Sequence, residues 1–256
     1  RAARLMGIGH AGQILVSQAT ASLVSDVELR DLGEHRLRDL SRPERTFQVL
    51  VPGLRVEFPP LRSLDAYAGN LPLQLTSFVG RERELASLAH ALTESRLVTI
   101  VGVGGVGKTR IALQVAADLI SEYHDGVWVC ELAIATDAES VAKVIGGALG
   151  VTLQPGLTIE ASIVDFLRTK QLLLVLDNCE HVLDTAGRLA ESALRSCSQL
   201  HVLATSREPL ALDGERITAL RSLTVAAPTD TIDAVAASEA VRLFEDRARA
   251  ARDGFV

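Results

Sequence analysis

Eight consecutive residues, Gly102-Val103-Gly104-Gly105-Val106-Gly107-Lys108-Thr109, constrain this chain more than any other stretch. They satisfy the pattern G-x4-G-K-[ST] at each required position. Several backbone N–H groups can wrap one polyphosphate only where the main chain approaches closely and takes positive φ, and glycine permits both at no steric penalty. Lys108 is expected to reach the outer phosphates as a point charge, and Thr109 to place its hydroxyl on a magnesium ion. A helix starting there aims the positive end of its dipole at the same anion. Arg110, in the first turn of that helix, is counted with the cradle. The chain has three lysines, Lys108, Lys143 and Lys170, and one of them falls at the single position that needs it.

The surroundings supply the order such a loop requires. Residues 96–101 form a short β-branched apolar run, and Ile111, Val115, Leu119 and Ile120 recur at helical spacing after the loop. Residues 127–132 then read as a strand, 140–149 and 158–168 as helices, and 171–177 as an apolar strand ending on Asp177. A helix over 182–193, a strand over 200–207, a last strand over 217–223 and an amphipathic helix over 237–250 complete the pattern. Strands alternating with helices predict an α/β fold with a mainly parallel sheet covered by helices on both faces.

Asp177 ends a buried strand about seventy residues after the glycine loop, where a carboxylate emerges at the sheet edge that binds ligands. It is the expected magnesium holder, together with Thr109. Asn178 follows it, where many proteins that this stretch resembles carry a second acid, and an amide cannot accept a proton from water, so slow hydrolysis is expected. Glu180, three residues beyond Asp177, is the next acid along the chain.

Composition narrows the classes. A net charge of −6 gives no footprint for nucleic acid or for an anionic membrane, and no apolar run approaches the ~20 residues that span a bilayer. Direct nucleic-acid binding by this piece is not expected, and a cytoplasmic location is. Cys130, Cys179 and Cys197 are widely spaced with no metal-type motif, which predicts reduced core thiols. The chain starts at Arg1 and stops at Val256 beside a helical stretch, so an excerpt of a longer protein is expected.

Two stretches resemble known families. Arg1-Ala-Ala-Arg-Leu, Gly12-Gln-Ile-Leu-Val-Ser, and Leu32-Gly-Glu-His-Arg-Leu-Arg-Asp-Leu with Arg42-Pro43 resemble the C-terminal end of a class III nucleotide cyclase domain. That resemblance implies a small α+β fragment of a ferredoxin-like fold and places the family's transition-state arginine on Arg4. The family's partner Asn and metal carboxylates would precede Arg1, so no cyclisation is expected from this chain. Phe78-Val79-Gly80-Arg81-Glu82 some twenty residues before the glycine loop is similar to the opening motif of the STAND class of P-loop NTPases, which includes the NB-ARC domains. The likeness implies that the backbone of Val79 and Gly80 and the side chain of Arg81 line the base and sugar. It also implies that Arg207, at the end of the 200–207 strand, points at the γ-phosphate.

The expected organisation is a cyclase-like fragment over 1–57, a Pro- and Gly-containing linker over 58–74, a P-loop NTPase domain over 75–225 and the start of a helical subdomain over 226–256. The leading reading is a signalling switch that binds ATP or ADP with Mg2+, with Gly102, Gly104, Gly105, Val106, Gly107, Lys108 and Thr109 as the cradle. By resemblance, its parent would be a bacterial transcriptional regulator, with protein partners or self-association through helical regions outside this sequence. The alternatives are a nucleotide cyclase fragment and a scaffold with an empty loop.

Overall fold

The computed structural model describes residues 2–25, 27–37, 42–63, 67–72, 76–225, 227 and 231–251. Arg1, Arg38, Asp39 and Leu40 of the cyclase-like stretch therefore lie outside the described residues. So do parts of the 58–74 and 226–256 segments.

The first fifty residues form α1 (Ala2–Ile8), β1 (Leu15–Ser17), α2 (Gln18–Ala21), β2 (Glu28–His35) and β3 (Glu44–Leu50). The three strands make an antiparallel sheet in the order β1-β3-β2. Strand β2 runs from Glu28 to His35, through several charged residues. Its charged residues are compatible with a strand because they pair across it: Arg45 on β3 donates through Nε and Nη2 to Asp31 Oδ2, at 3.0 and 2.6 Å. Leu5, Ile8, Leu37 and Leu61 form the small core beneath.

The larger unit contains α3 (Glu82–Glu94), β4 (Leu97–Val101), α4 (Lys108–Asp118), β5 (Val127–Glu131), α5 (Ala138–Leu149) and α6 (Ile159–Leu167). It continues through β6 (Leu173–Asp177), α7 (Leu183–Ser196), β7 (His201–Ser206), β8 (Glu215–Ala219), α8 (Ile232–Ala237) and α9 (Glu239–Ala251). Its five strands lie in the order β5-β6-β7-β4-β8, and each pairing is parallel. The fold is the expected α/β P-loop arrangement.

Strand β6 shows why both faces must be covered. Leu173 and Val175 point into one core, with Leu88, Leu92, Ile111 and Val115 from α3 and α4. Leu174 and Leu176 point into the other, with Ile145, Ile163 and Leu189 from α5, α6 and α7. All five residues of β6 are buried, and the four before Asp177 are apolar, as a strand covered on both faces requires. Cutting a fully buried side chain such as Ile111 or Leu176 to alanine should cost about 2–5 kcal/mol.

Capping explains several helix starts. Asp137 and Ser140 form a reciprocal capping box that starts α5 two residues before the 140–149 span suggested by periodicity, and Thr158 caps α6. At the C-terminal end two expectations are corrected. The last strand is Glu215–Ala219 rather than 217–223, because the ladder closes where Leu220 N donates to Val101 O at 2.7 Å. The expected 237–250 helix is α9, starting at Glu239 because Ser238 is extended (φ −66°, ψ 143°), and a short helix that the sequence reading did not single out, α8, precedes it.

The described parts of the 58–74 segment are anchored at Arg62 and at Asn70. Arg62 N donates to Ile8 O at 2.9 Å, and farther on Asn70 Nδ2 and Oδ1 bond Val129 O and N at 2.8 and 2.6 Å beside β5. Low sequence periodicity here reflects a strap fixed by its polar groups. Among the described residues no helix is long and apolar enough to cross a membrane.

Candidate functional site

The carboxyl ends of β4, β6 and β7 converge on one edge of the sheet, and each delivers polar groups there. Strand β4 opens into the glycine loop. Gly102 is packed so tightly that a Cβ would stand 2.8 Å from Leu220 O, and Gly107 takes φ 97° as the residue before α4. The first N–H groups of α4 have no partner within the helix, and the loop leaves that end facing the sheet edge.

Lys108 is buried, and its Nζ donates to Gly102 O at 2.9 Å and Val103 O at 3.2 Å. The ammonium is thereby held inside the curl of the loop. Thr109 Oγ1 lies 2.8 and 3.0 Å from the two carboxylate oxygens of Asp177. On the other side, Thr205 Oγ1 at the end of β7 donates to Asp177 Oδ1 at 2.6 Å and accepts from Asn178 N at 2.9 Å. Asp177, at the end of β6, is thus oriented by hydroxyls from α4 and β7 while remaining buried.

Asn178 adopts a left-handed conformation (φ 64°), which asparagine tolerates better than most residues, and leads into a tight helical turn over Cys179–His181. Glu180 on that turn meets Arg207, whose Nε donates to Glu180 Oε1 at 3.1 Å. Arg207 Nη2 is 3.8 Å from the position a Cβ would take on Gly104, so its guanidinium overhangs the loop.

A cleft of about 420 Å3 opens on the other side of the loop. Phe78, Val79, Arg81, Val106 and Arg110 line it, and Leu243 and Arg247 of α9 close over it. The volume falls in the usual range for a small-molecule site. Arg81 is nearly buried, again left-handed (φ 62°), and its Nη2 donates to Val106 O and Arg221 O at 2.8 and 3.0 Å. Its guanidinium therefore braces the glycine loop against the chain leaving β8. Nη1 has no hydrogen-bond acceptor among the described residues, with Glu84 standing off at 4.0 Å. Arg110 donates to Thr76 Oγ1 and to the carbonyls of Thr76 and Ser77, at 2.6, 3.1 and 2.9 Å, tying α4 to the stretch before Val79. Burial pulls the Arg110 guanidinium below its ordinary pKa, with the Arg247 charge adding to the effect.

Gly80 comes close to Glu239 at the start of α9, whose Oε1 accepts the Arg81 N–H at 2.9 Å and whose Oε2 accepts from Thr224 N and Oγ1 at 3.2 Å each. The Arg81 N–H is the largest influence holding the Glu239 carboxyl below its ordinary pKa.

The structure therefore brings Gly102 to Arg110, Asp177 and Arg207 to one sheet edge, with Val79, Gly80 and Arg81 around the adjoining cleft. Thr205, Glu180 and Glu239 also belong to this neighbourhood, and sequence reasoning did not single out Thr205 or Glu239. The run of hydroxyls ending the 200–207 strand was the one available signal for Thr205. Arg4 is half-buried at a separate cavity of about 720 Å3 that also takes in Asp118 and Glu122, and no glycine loop contributes to it.

The donor set fits a nucleotide with its metal. No group of three or more His, Cys, Asp or Glu side chains suited to a metal occurs among the described residues. A magnesium ion would thus draw on Thr109, Asp177, water and phosphate oxygens, the arrangement Mg2+ commonly takes with nucleotides.

The chain is 41% identical over 181 residues to an uncharacterised protein of Mycobacterium tuberculosis, an alignment covering 71% of this chain and 43% of that protein. It is 42% identical over 164 residues to a putative HTH-type transcriptional regulator of the same organism, covering 64% of this chain and 17% of the regulator. The chain thus spans less than half the length of these relatives. Among solved structures it is similar to a Signal Transduction ATPase with Numerous Domains (STAND) protein with a tetratricopeptide repeat sensor from Pyrococcus horikoshii. That match has 20% identity and a TM-score of 0.38, over 57% of this chain and 24% of that one. It is also similar to Cdc6p from Pyrobaculum aerophilum, with 19% identity and a TM-score of 0.42, over 59% of this chain and 47% of that one. The NB-ARC domain model matches residues 81–210, from the arginine that braces the glycine loop to just beyond Arg207. With just over half of its length matched in this way, the chain belongs to the NB-ARC domain family.

Proposed function

We propose that this chain is a nucleotide-operated signalling switch that binds ATP or ADP with Mg2+ and hydrolyses ATP slowly. The observation that carries it is the joining of Thr109 to Asp177 at 2.8 Å beside a Lys108 ammonium held in the glycine loop. Those three groups stand where a β,γ-phosphate and its metal would meet the end of the sheet. Arg81, Val79 and Gly80 would flank the base and sugar in the 420 Å3 cleft, and Arg207 would meet the γ-phosphate. A switch needs only unequal affinity of two conformations for the two nucleotides, so turnover can be slow.

In this reading residues 75–225 are the NTPase domain, 226–256 begin a helical subdomain, and 58–74 strap it to a cyclase-like fragment at 1–57. The likeness to a putative HTH-type regulator supports a transcriptional role for a longer parent, working in the cytoplasm where its nucleotide is made. The fragment retains Arg4 alone of the cyclase chemistry, so no cyclic nucleotide should form from ATP or GTP.

Nucleotide titration by calorimetry tests the reading. ATP and ADP should bind in the micromolar range, and Lys108→Ala should weaken both at least tenfold, as loss of a charge-assisted contact of ~1.5–3 kcal/mol implies. Equal affinities for the two proteins would overturn it.

A further inference from the structure

We propose that Glu180 is a positioning residue that holds Arg207 by its Nε edge so that the guanidinium's free Nη edge stays over the glycine loop, where it distinguishes a nucleoside triphosphate from a diphosphate. This rests on the nucleotide-binding reading above.

Glu180 is unusually well fixed for an acid at a sheet edge. The left-handed turn at Asn178 folds the chain back onto a short helical turn whose neighbours anchor it on both sides. Cys179 is fully buried before it, and after it His181 Nε2 lies 2.9 Å from Leu132 O. In the amide orientation that satisfies both ends, Asn178 Nδ2 donates to Glu180 Oε1 and Oε2 at 3.1 and 3.3 Å. The Glu180 side chain is only 18% exposed, whereas that of Arg207 is 65% exposed.

A largely exposed arginine is thus tethered to a largely buried carboxylate through one nitrogen. Guanidinium is a planar fork, so fixing Nε against one acceptor sets the direction of the Nη pair and reduces the ordering needed to meet a second. That second direction is toward Gly104, from whose Cβ position Nη2 is 3.8 Å. A diphosphate seated in the loop would end short of this edge, and the additional phosphate of a triphosphate would stand beside it. Asn178 gains a role as well: its amide donates to Glu180, where an acid would repel it.

ATP and ADP affinities of the intact chain, measured by calorimetry with Mg2+, test this for wild type, Glu180→Gln, Arg207→Gln and the double variant. The exposed pair calls for a modest effect, so Glu180→Gln should weaken ATP about two- to fivefold and leave ADP unchanged. Arg207→Gln should weaken ATP by at least as much, and Glu180→Gln should add nothing in its background. Arg207→Lys keeps the charge but lacks Nε, so it should be insensitive to Glu180→Gln as well. Tighter ATP binding in Glu180→Gln would show that the acid merely repels phosphate or competes for Arg207, and would overturn the proposal. Equal loss of ATP and ADP would make Glu180 a packing residue and overturn it too. Wild-type protein that binds neither nucleotide would refute the underlying reading instead.

Discussion

Thr205 Oγ1 donates to Asp177 Oδ1 across 2.6 Å, joining the ends of two adjacent parallel strands at the edge where β4 opens into the glycine loop. The same oxygen accepts the Asn178 N–H, so one hydroxyl fixes the carboxylate and the turn that follows it. With Thr109 on the opposite side, Asp177 is oriented before any ligand arrives. Preorganisation of this kind lowers the ordering that binding must overcome.

Replacing Thr205 by valine keeps the shape and removes both bonds, leaving a buried carboxylate and a backbone N–H short of a partner. The expected loss of stability is about 1–3 kcal/mol, with Thr205→Ser close to wild type. Urea melts of the three proteins check this, and a valine variant as stable as wild type would contradict it.

The proposed slow hydrolysis makes Asn178 the residue that limits turnover. Phosphate release from ATP should be slow, well under the ~1 to 10³ s⁻¹ of typical enzymes, and should rise in Asn178→Asp, which supplies a proton acceptor beside Asp177. The new carboxylate would face Glu180, and like charges that close raise one of the two pKa values toward neutrality, as a general base needs. A steady-state phosphate assay on both proteins decides; rapid and equal turnover in both would remove Asn178 as the cause.

Glu239 fastens α9 over the cleft. Glu239→Ala removes acceptors for Arg81 N, Thr224 N and Thr224 Oγ1, so amide exchange across 239–251 should quicken severalfold while the β6 amides keep their protection. The pH dependence has a definite sign. The folded carboxyl titrates below its ordinary value of 4.5, so its contribution is complete above that value and is lost as pH falls through the depressed one. Protection of the α9 amides, taken relative to their intrinsic exchange rates at each pH, should therefore fall on acidification below about 4.5 in wild type, and the alanine variant should lack that extra step.

The three thiols should be inert in the native state. Cys130 and Cys179 are buried and pushed up to about 12 by desolvation, and the Cys197 thiol is raised by the same cause. At pH 8 almost none is thiolate, the reactive form. A chromogenic disulfide reagent should find no rapidly reacting thiol in folded protein and three after denaturation; one fast thiol would contradict the buried assignment.

What the sequence by itself determined is chemistry that fits within a short window. The glycine loop is eight residues long, its flanking strand and helix are periodic, and Asp177 ends a run of leucines and valine that can only be a buried strand. The alternation of strand and helix then led to a parallel sheet, because parallel neighbours need crossovers. Tertiary structure alone decided the rest, since those relations join residues far apart in the chain. Thr205 and Asp177 are separated by 28 positions, and Arg81 and Glu239 by 158. No local pattern encodes either pair. The order β5-β6-β7-β4-β8 places Thr205 between the loop strand and the Asp177 strand, turning an ordinary strand-end hydroxyl into part of a site. Arg81 shows the same division. Its motif was legible, but its burial and its grip on Val106 and Arg221 follow from the packing of the stretch before α3 against the loop and the exit of β8. A charged side chain finds its partner in three dimensions, where desolvation makes an unpaired position costly.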